Sequence, residues 1–123
     1  MFVEPRPLAK HFLESVAEIF TVYVYTAGEK KYADAVLNVL DTKNLIEKRF
    51  YRDSCKKQNG TIVKDLKYLK KTLRTKQEMV LVDDNHLSIN KNYPFAIQAE
   101  PFEGDQKDQG LVPIFSKLLK FYI

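Results

Sequence analysis

The sequence has 123 residues, of which 45% are apolar, 29% charged and 12% aromatic. This length and composition predict one globular domain over residues 1–123, without a disordered tail. A single cysteine, Cys55, excludes an internal disulfide and a cysteine-based zinc cluster, and it suits a reducing compartment. The longest apolar runs have strand length and the N-terminus resembles no secretory signal, so neither a membrane span nor export is expected.

The net charge of +4 is unevenly distributed along the chain. Residues 43–76 contain twelve lysines and arginines against three acids, a local balance of +9 that leaves −5 for the rest. Such a segment suits nucleic acid, acidic lipid or a phosphorylated partner, and its ordinary alternative is a solvated helix face with a charged hairpin. Because no nucleic-acid-binding motif accompanies it, nucleic-acid binding is not expected.

The first half of the chain predicts a helix, a strand and a second helix. Apolar residues at helical spacing follow Pro7 and extend to Phe20, and proline is typical of a first helical turn. Residues 19–25 are β-branched and aromatic, as in a strand that is buried on both faces. Thr26 and Glu29 have the spacing of a capping box that opens the second helix. The predicted inner face of that helix consists of Tyr32, Ala33, Val36, Leu37 and Leu40.

The second half predicts a hairpin, two helices and two further strands. Asn59-Gly60 between the extended runs 50–55 and 61–63 is a strong hairpin signal. The remaining predicted elements are a short helix over 65–73, a buried strand over 79–82, a weaker strand at 96–97 and an amphipathic helix over 111–121. Apolar strands that alternate with helices are typical of an α/β fold built on a parallel sheet.

Side chains near three predicted element ends favour phosphate chemistry. Thr26 follows the first strand, where its hydroxyl and the amides of the next helix form a ready anion site. Asp83 and Asp84 follow the second buried strand and offer the oxygen ligands that Mg²⁺ prefers. Lys64 follows the hairpin, and its ammonium suits the charge of a phosphoryl group. Each also has a purely structural interpretation: a helix cap, a polar turn and one lysine among many.

Seven runs of the sequence occur in the order of a known family. They are HFLESVAEIF, VYVYTAGEKKYADAVLNVLD, RFYRDSC, NGTIVKDLKYL, MVLVDD, AIQAEPF and LVPIF, and they cover almost the whole chain. They resemble the small C-terminal-domain phosphatases and NLI-interacting-factor-like phosphatases of the haloacid dehalogenase superfamily. The resemblance implies an α/β fold in which a parallel sheet has flanking helices and a small β-hairpin insertion. It also implies Mg²⁺ as cofactor and a phosphorylated protein or peptide as partner.

The resemblance implies roles for individual residues. Thr26 matches the second-motif hydroxyl that binds a phosphoryl oxygen, and Lys64 matches the third-motif lysine that stabilises the phospho-intermediate. Asp83 matches the fourth-motif aspartate that helps to hold Mg²⁺, and Asp84 stands where many members have asparagine. Arg52, in the insertion hairpin, is a substrate-side contact in this interpretation. The implied catalytic residues are thus Thr26 and Lys64, the substrate-binding residues Thr26, Ala27, Arg52 and Lys64, and the metal ligands Asp83 and Asp84.

The sequence departs from the family at its first motif, an Asp-x-Asp whose first aspartate is the nucleophile and whose second is the general acid/base. No Asp-x-Asp occurs in the 123 residues, and the adjacent Asp83 and Asp84 point to opposite sides of an extended chain. In the family that motif ends a central strand, which lies between the strands that end at Thr26 and Asp83. We therefore expect a missing N-terminal central strand, no turnover by this chain alone, and Mg²⁺ binding at about millimolar strength or weaker.

Three explanations of this departure stay open. They are a truncated gene model that leaves the domain N-terminally incomplete, a pseudophosphatase with a differently closed sheet, and a strand supplied by another chain. The first functional hypothesis is a Mg²⁺-dependent phosphoserine/phosphothreonine phosphatase domain with an aspartyl-phosphate mechanism, located in the nucleus or cytoplasm. The alternative is a non-catalytic protein-binding module of the same fold, similar to the presequence receptor of the mitochondrial inner-membrane translocase.

Overall fold

A computed structural model describes residues 6–122, with side chains through residue 121. Six strands and five helices occur in this range, together with a 3₁₀ turn at Arg52–Ser54. In chain order they are α1 Ala9–Ala17, β1 Val22–Tyr25, α2 Lys30–Leu40, β2 Ile46–Phe50, β3 Lys56–Gln58, β4 Thr61–Val63, α3 Leu66–Leu73, β5 Leu81–Asp83, α4 His86–Asn92, β6 Ala96–Gln98 and α5 Val112–Tyr122. None of these helices is long and apolar enough to cross a membrane.

Two parallel pairs of strands position the candidate site. β1 pairs with β2, where Tyr25 is opposite Phe50, and β5 pairs with β6, where Asp83 is opposite Gln98. Among the described strands each sheet has only two members, so β1 and β5 are not hydrogen-bonded to one another. The predicted α/β class with parallel strands is confirmed, and the predicted gap in the sheet corresponds to this separation of β1 from β5.

The predicted hairpin is present, but its first strand lies elsewhere. β3 and β4 pair antiparallel around Asn59 and Gly60, whose φ angles of 52° and 78° are those of a type I′ turn. The prediction of a hairpin strand over 50–55 is wrong. Phe50 instead ends β2 and is only 4% exposed in the core, and the chain then turns through the 3₁₀ segment before β3 begins.

The core consists of two clusters on opposite faces of the strands. One contains Val16 of α1 together with Ile114 and Leu118 of α5, and partly buried residues of β1 and β5 pack against it. The other contains Leu66 and Leu69 of α3, and it receives the alternate residues of the same two strands. Because side chains of a strand alternate between faces, β1 and β5 lie in one layer, with α1 and α5 on one face and α3 on the other.

The predicted capping box before α2 is wrong. The N-cap is Glu29, whose side chain makes no capping hydrogen bond, and the hydroxyl of Thr26 instead accepts from the backbone N–H of Gly28 at 3.0 Å. Tyr32, predicted to face inward, is 53% exposed, whereas Leu37 is buried as expected. Thr26 therefore shapes the loop between β1 and α2 and does not cap the helix.

Two elements were not predicted, β2 and α4. In β2 the side chains of Glu47 and Lys48 are exposed, and among the described strands β2 pairs with β1 alone, so it is an edge strand with charged residues in solvent. α4 is short and polar, and its start is stabilised by Asn85, whose side chain accepts from the N–H of Leu87 at 2.9 Å. The predicted helices near both chain ends, the helix over 65–73 and the strands around residues 81 and 97 are confirmed.

Candidate active site

Thr26 lies directly after β1, in a loop whose next residues turn back toward the Thr26 hydroxyl. Its N–H donates to the carbonyl of Phe50 at 2.9 Å, so β2 holds the start of the loop. The hydroxyl oxygen accepts from Gly28, which leaves the hydroxyl proton for another acceptor. A Cβ on Gly28 would lie 3.3 Å from that oxygen, so glycine permits this close approach.

Arg52 ties the same loop to the segment after β2. Its Nε donates to the carbonyl of Ala27 at 2.7 Å, and its own N–H donates to the carbonyl of Gly28 at 3.1 Å. The guanidinium also lies 3.4 Å from the carboxylate of Glu29, with half of the arginine side chain exposed. The structure therefore shows Arg52 as a support of the loop that carries Thr26 and Ala27, while a substrate contact remains a prediction.

Lys64 and Asp83 form an ion pair at the ends of β4 and β5. The ammonium lies 2.8 Å from Oδ2 of Asp83, and the two side chains are only 16% and 9% exposed. Oδ1 of Asp83 accepts from the N–H of Asp84 at 2.8 Å, so both oxygens of this carboxylate are engaged. The pair places one largely buried cation at the carboxyl end of the strand layer, where ligands bind in open α/β sheets.

Helix α4 holds the main chain at Lys64. The hydroxyl of Ser88 accepts from the N–H of Lys64 at 3.1 Å, and Nδ2 of Asn92 donates to the carbonyl of Lys64 at 3.0 Å. Oδ1 of Asn92 accepts from the N–H of Leu66 at 2.8 Å, and Ser88 is 1% exposed. We call Ser88 and Asn92 the lysine clamp, because they fix the backbone that carries the ammonium.

Cys55 lies beside the Thr26 loop. Its Sγ lies 3.6 Å from the carbonyl of Thr26. Burial raises the pKa of the thiol, the charge of Lys64 opposes that rise, and the charge of Asp83 adds to it. The hydroxyl of Tyr25, the residue before Thr26, accepts from the N–H of Asp65, the residue after Lys64, at 3.2 Å. Because Lys64 is also paired with Asp83, Thr26, Lys64 and Asp83 share one edge of the layer, as their positions after predicted strands and the hairpin implied.

Asp83 and Asp84 do not by themselves form a Mg²⁺ site. Within residues 6–122 no group of three or more histidine, cysteine, aspartate or glutamate side chains is arranged to hold a metal ion. Asp83 is already bonded to Lys64, and the carboxylate of Asp84 is exposed. Mg²⁺ prefers near-octahedral oxygen ligands, so these residues do not fit the ion without further donors, and we derive no chemical step through it.

Tyr25, at the end of β1, joins the Thr26 loop to α3. Its hydroxyl donates to the carbonyl of Ser54 and accepts from the N–H of Asp65 at 3.2 Å. Burial raises the pKa of Tyr25 to about 12, partly offset by the hydrogen bond from Asp65. The roles of Tyr25, Cys55 and the lysine clamp were missed from the sequence, because each depends on contacts with distant segments.

The raised pKa of Tyr25 predicts a loss of stability in alkali. The neutral phenol is favoured in the folded state, so its contribution is complete below the unfolded pKa of about 10 and is lost as the pH rises to about 12. Urea unfolding from pH 9 upward should show a decline that is smaller in Tyr25→Phe, and tyrosine absorbance should show Tyr25 ionising late. An identical pH dependence in Tyr25→Phe would contradict this prediction.

A family model described as NLI interacting factor-like phosphatase matches residues 1–123. The chain belongs to this family. It is 35% identical over 123 residues to a "Probable C-terminal domain small phosphatase" of Dictyostelium discoideum, covering 98% of this chain and 39% of the relative. It is 31% identical over 121 residues to the human "Carboxy-terminal domain RNA polymerase II polypeptide A small phosphatase 2", covering 96% of this chain and 44% of that protein.

Solved structures support the same fold. The structure of Fcp1, an essential RNA polymerase II CTD phosphatase, matches 97% of this chain and 32% of its own length, with a TM-score of 0.65 and 24% identity. This member of the NLI interacting factor-like phosphatase family therefore has the α/β fold seen in Fcp1, which is the haloacid-dehalogenase-like fold that was expected. The chain spans less than half the length of the relatives named above.

Proposed function

We propose that this chain is the phosphate-binding part of a phosphoserine/phosphothreonine phosphatase domain, and that alone it binds phosphorylated peptides without hydrolysing them. The observation that carries the proposal is the largely buried Lys64–Asp83 pair, which the hydrogen bond between Tyr25 and Asp65 holds at the same edge of the layer as the Thr26 loop. Membership of the family supports phosphatase function at the level of the family.

The two groups complement one another chemically. The ammonium of Lys64 has three donors, and Asp83 uses one of them, so the others are available to phosphoryl oxygens. The Thr26 hydroxyl retains its proton for a further oxygen of the same group. Asp83 has a positioning role in this proposal, because its carboxylate restricts the flexible lysine side chain that would otherwise lose rotamer entropy on binding.

Exposed lysines around the site favour a phosphorylated peptide over free phosphate. Lys56 and Lys57 lie on the hairpin, and Lys67 and Lys71 lie on the outer face of α3. Their attraction is long-ranged and screened by salt, so it raises affinity for acidic peptides without selecting the phosphate itself. The human relative and Fcp1 carry RNA polymerase II in their names. We include the phosphorylated polymerase tail among the proposed substrates.

The family supports further parts of the proposal. These are Mg²⁺ dependence, an aspartyl-phosphate mechanism and a location in the nucleus or cytoplasm. The names of the relatives quoted above contain nothing that supports the mitochondrial alternative. In this proposal the attacking carboxylate is not among the 123 residues, because their sequence contains no Asp-x-Asp.

Replacing Lys64 tests the phosphate site directly. We expect Lys64→Ala to weaken binding of a labelled phosphoserine peptide by about tenfold or more, because a charge-assisted hydrogen bond is lost. Lys71→Ala and Lys70→Ala remove the same charge from α3 and should cost much less, since Lys71 is exposed and Lys70 is paired with Glu78. Fluorescence anisotropy, with the unphosphorylated peptide as reference, measures all three affinities.

A second variant separates binding from folding. Thr26→Ala leaves the Lys64–Asp83 pair in place and removes only the hydrogen bond from Gly28, so it should weaken the phosphopeptide while lowering the thermal unfolding temperature less than Lys64→Ala does. Circular dichroism measures that temperature for each variant. Equal losses of affinity in Lys64→Ala, Lys70→Ala and Lys71→Ala would mean that only the diffuse basic surface binds, and the proposed phosphate site would have to be abandoned.

A further inference from the structure

Exposed lysines of the hairpin and of α3 form a continuous basic surface beside the proposed phosphate site. The ammonium of Lys56 lies 5.7 Å from the centre of the Tyr68 ring, so the first strand of the hairpin contacts α3. Lys67 and Lys71 are four residues apart on the exposed side of α3, next to Tyr68, which is 37% exposed. We call Lys56, Lys67, Tyr68 and Lys71 the basic stripe.

The lysines of the basic stripe have no acidic partners among the described residues. Residues 56–76 contain eight lysines and arginines and a single acid, which caps α3. In the part of the chain that the structure describes, the ion pairs of this segment are Lys64 with Asp83 and Lys70 with Glu78. Neither pair includes a lysine of the stripe, so its three ammonium groups are available to an anionic partner.

The charge of the basic stripe is unfavourable for α3 itself. Lys67 lies in the first turn of the helix, which has no acidic residue, and a cation there opposes the helix dipole. Lys67 and Lys71 also repel one another at a spacing of four residues. Packing does not explain these lysines either, because both are exposed. Binding of an anion would offset this electrostatic cost.

Both parts of the basic stripe begin next to Lys64. Lys56 is opposite Val63 in the hairpin, and Lys67 follows Lys64 by three residues. Three residues span at most about 11 Å, so the Cα atoms of Lys64 and Lys67 lie within that distance. An extended peptide advances about 3.3 Å per residue. Side chains about two to four positions from a phosphoserine held at Lys64 therefore reach the stripe.

The opposite face of the strand layer carries an excess of negative charge. The loop over residues 99–111 leads from β6 to α5, which lies on the face away from α3. Its exposed residues include Glu100, Glu103 and Asp105. A peptide that passes over the carboxyl end of the layer has one flank on the basic stripe and the other toward these acids. The two flanks therefore meet opposite charges.

We propose that the basic stripe selects phosphorylated protein segments with aspartate or glutamate about two to four residues from the phosphoserine, on one flank only. This selection rests on the proposed phosphate site, because a phosphoserine held at Lys64 raises the effective concentration of its flank at the stripe. Contacts between exposed ammonium and carboxylate groups are individually weak, so the bound phosphate makes them specific. A nucleic acid fits less well, because its uniform backbone charge would also meet the acidic loop.

Three labelled phosphoserine peptides of equal length test the selection on the full 123-residue chain. One carries two glutamates before the phosphoserine, the second carries them after it, and the third has glutamine at all of these positions. We expect one acidic peptide to bind about fivefold more tightly than the glutamine peptide, and the other to show no gain. Fluorescence anisotropy at low ionic strength measures the affinities, and added salt should reduce the gain.

Charge reversal in the basic stripe separates local contacts from diffuse attraction. We expect Lys67→Glu to abolish the gain of the acidic peptide and to change the affinity of the glutamine peptide by about twofold at most. The variant should not lower the thermal unfolding temperature, because an acid in the first turn favours the helix. Lys117→Glu makes the same change at an exposed position of α5, on the opposite face, and should preserve the gain.

The outcomes distinguish this inference from the proposed function. Equal gains for both acidic peptides, no gain for either, or equal effects of Lys67→Glu and Lys117→Glu would overturn the selection. Binding of the glutamine peptide that depends on Lys64 would leave the phosphate site standing in each of these cases. Failure of all three phosphopeptides to bind the folded chain would overturn the phosphate site and the selection together. A single-stranded oligonucleotide that displaces the acidic peptide more readily than the unlabelled peptide does would identify the stripe as a nucleic-acid surface instead.

Discussion

The 123-residue chain is expected to release no p-nitrophenol from p-nitrophenyl phosphate above the rate of a Thr26→Ala variant. The family mechanism needs an aspartyl nucleophile, and positioning of phosphate alone does not replace a covalent step. No Asp-x-Asp occurs in the sequence. Absorbance of p-nitrophenol, measured with Mg²⁺ over several hours, checks this prediction, and the phosphopeptide-binding assay verifies that the sample is competent.

The described side chains near Thr26 give the same expectation. Asp83 is bonded through both oxygens, and the carboxylate of Asp65 accepts from the N–H of Lys67 as the cap of α3. The raised pKa of Cys55 keeps its thiol protonated at neutral pH, which makes it a poor nucleophile. Turnover above that of Thr26→Ala would contradict the prediction and would mean that a different residue attacks.

Replacing Asn92 by leucine is expected to lower the free energy of unfolding by about 3 kcal/mol, because buried backbone groups lose their partners. The amide side chain bonds to the carbonyls of Lys64 and Ser88 and to the N–H of Leu66, at 2.7 to 3.0 Å. Leucine has a similar size but restores none of these bonds. Urea unfolding measures the change, and affinity for a phosphoserine peptide should fall as well, since the backbone of Lys64 is no longer held.

Asn90→Leu is the matched control, because Asn90 lies on the same helix and is exposed. It should change the free energy of unfolding by less than about 0.5 kcal/mol. Similar costs for Asn92→Leu and Asn90→Leu would show that the lysine clamp has no particular importance. A stable Asn92→Leu variant with undiminished phosphopeptide affinity would show that Asn92 does not position Lys64.

Local signals in the sequence were sufficient for most of the helices and for the apolar strands. Asn59-Gly60 predicted the hairpin turn because a type I′ turn needs positive φ at both positions. Asp65 is the first residue of the predicted helix over 65–73, and in the structure its side chain caps α3. The family resemblance, carried by runs such as VYVYTAGEKKYADAVLNVLD, also led to Thr26, Lys64 and Asp83, which the fold brings to one edge.

Contacts between distant segments decided the remaining features. The sequence did not predict β2, because its exposed charged residues interrupt the apolar pattern of a buried strand. The structure identifies it as a strand by its pairing with β1. The lysine clamp joins residues 24 to 28 positions apart, and no local spacing indicates that Ser88 and Asn92 support Lys64. Only the tertiary structure shows how β1 and β5 are separated. Hydrophobic periodicity predicts which faces of a strand are buried, whereas strand pairing depends on which edges meet in space.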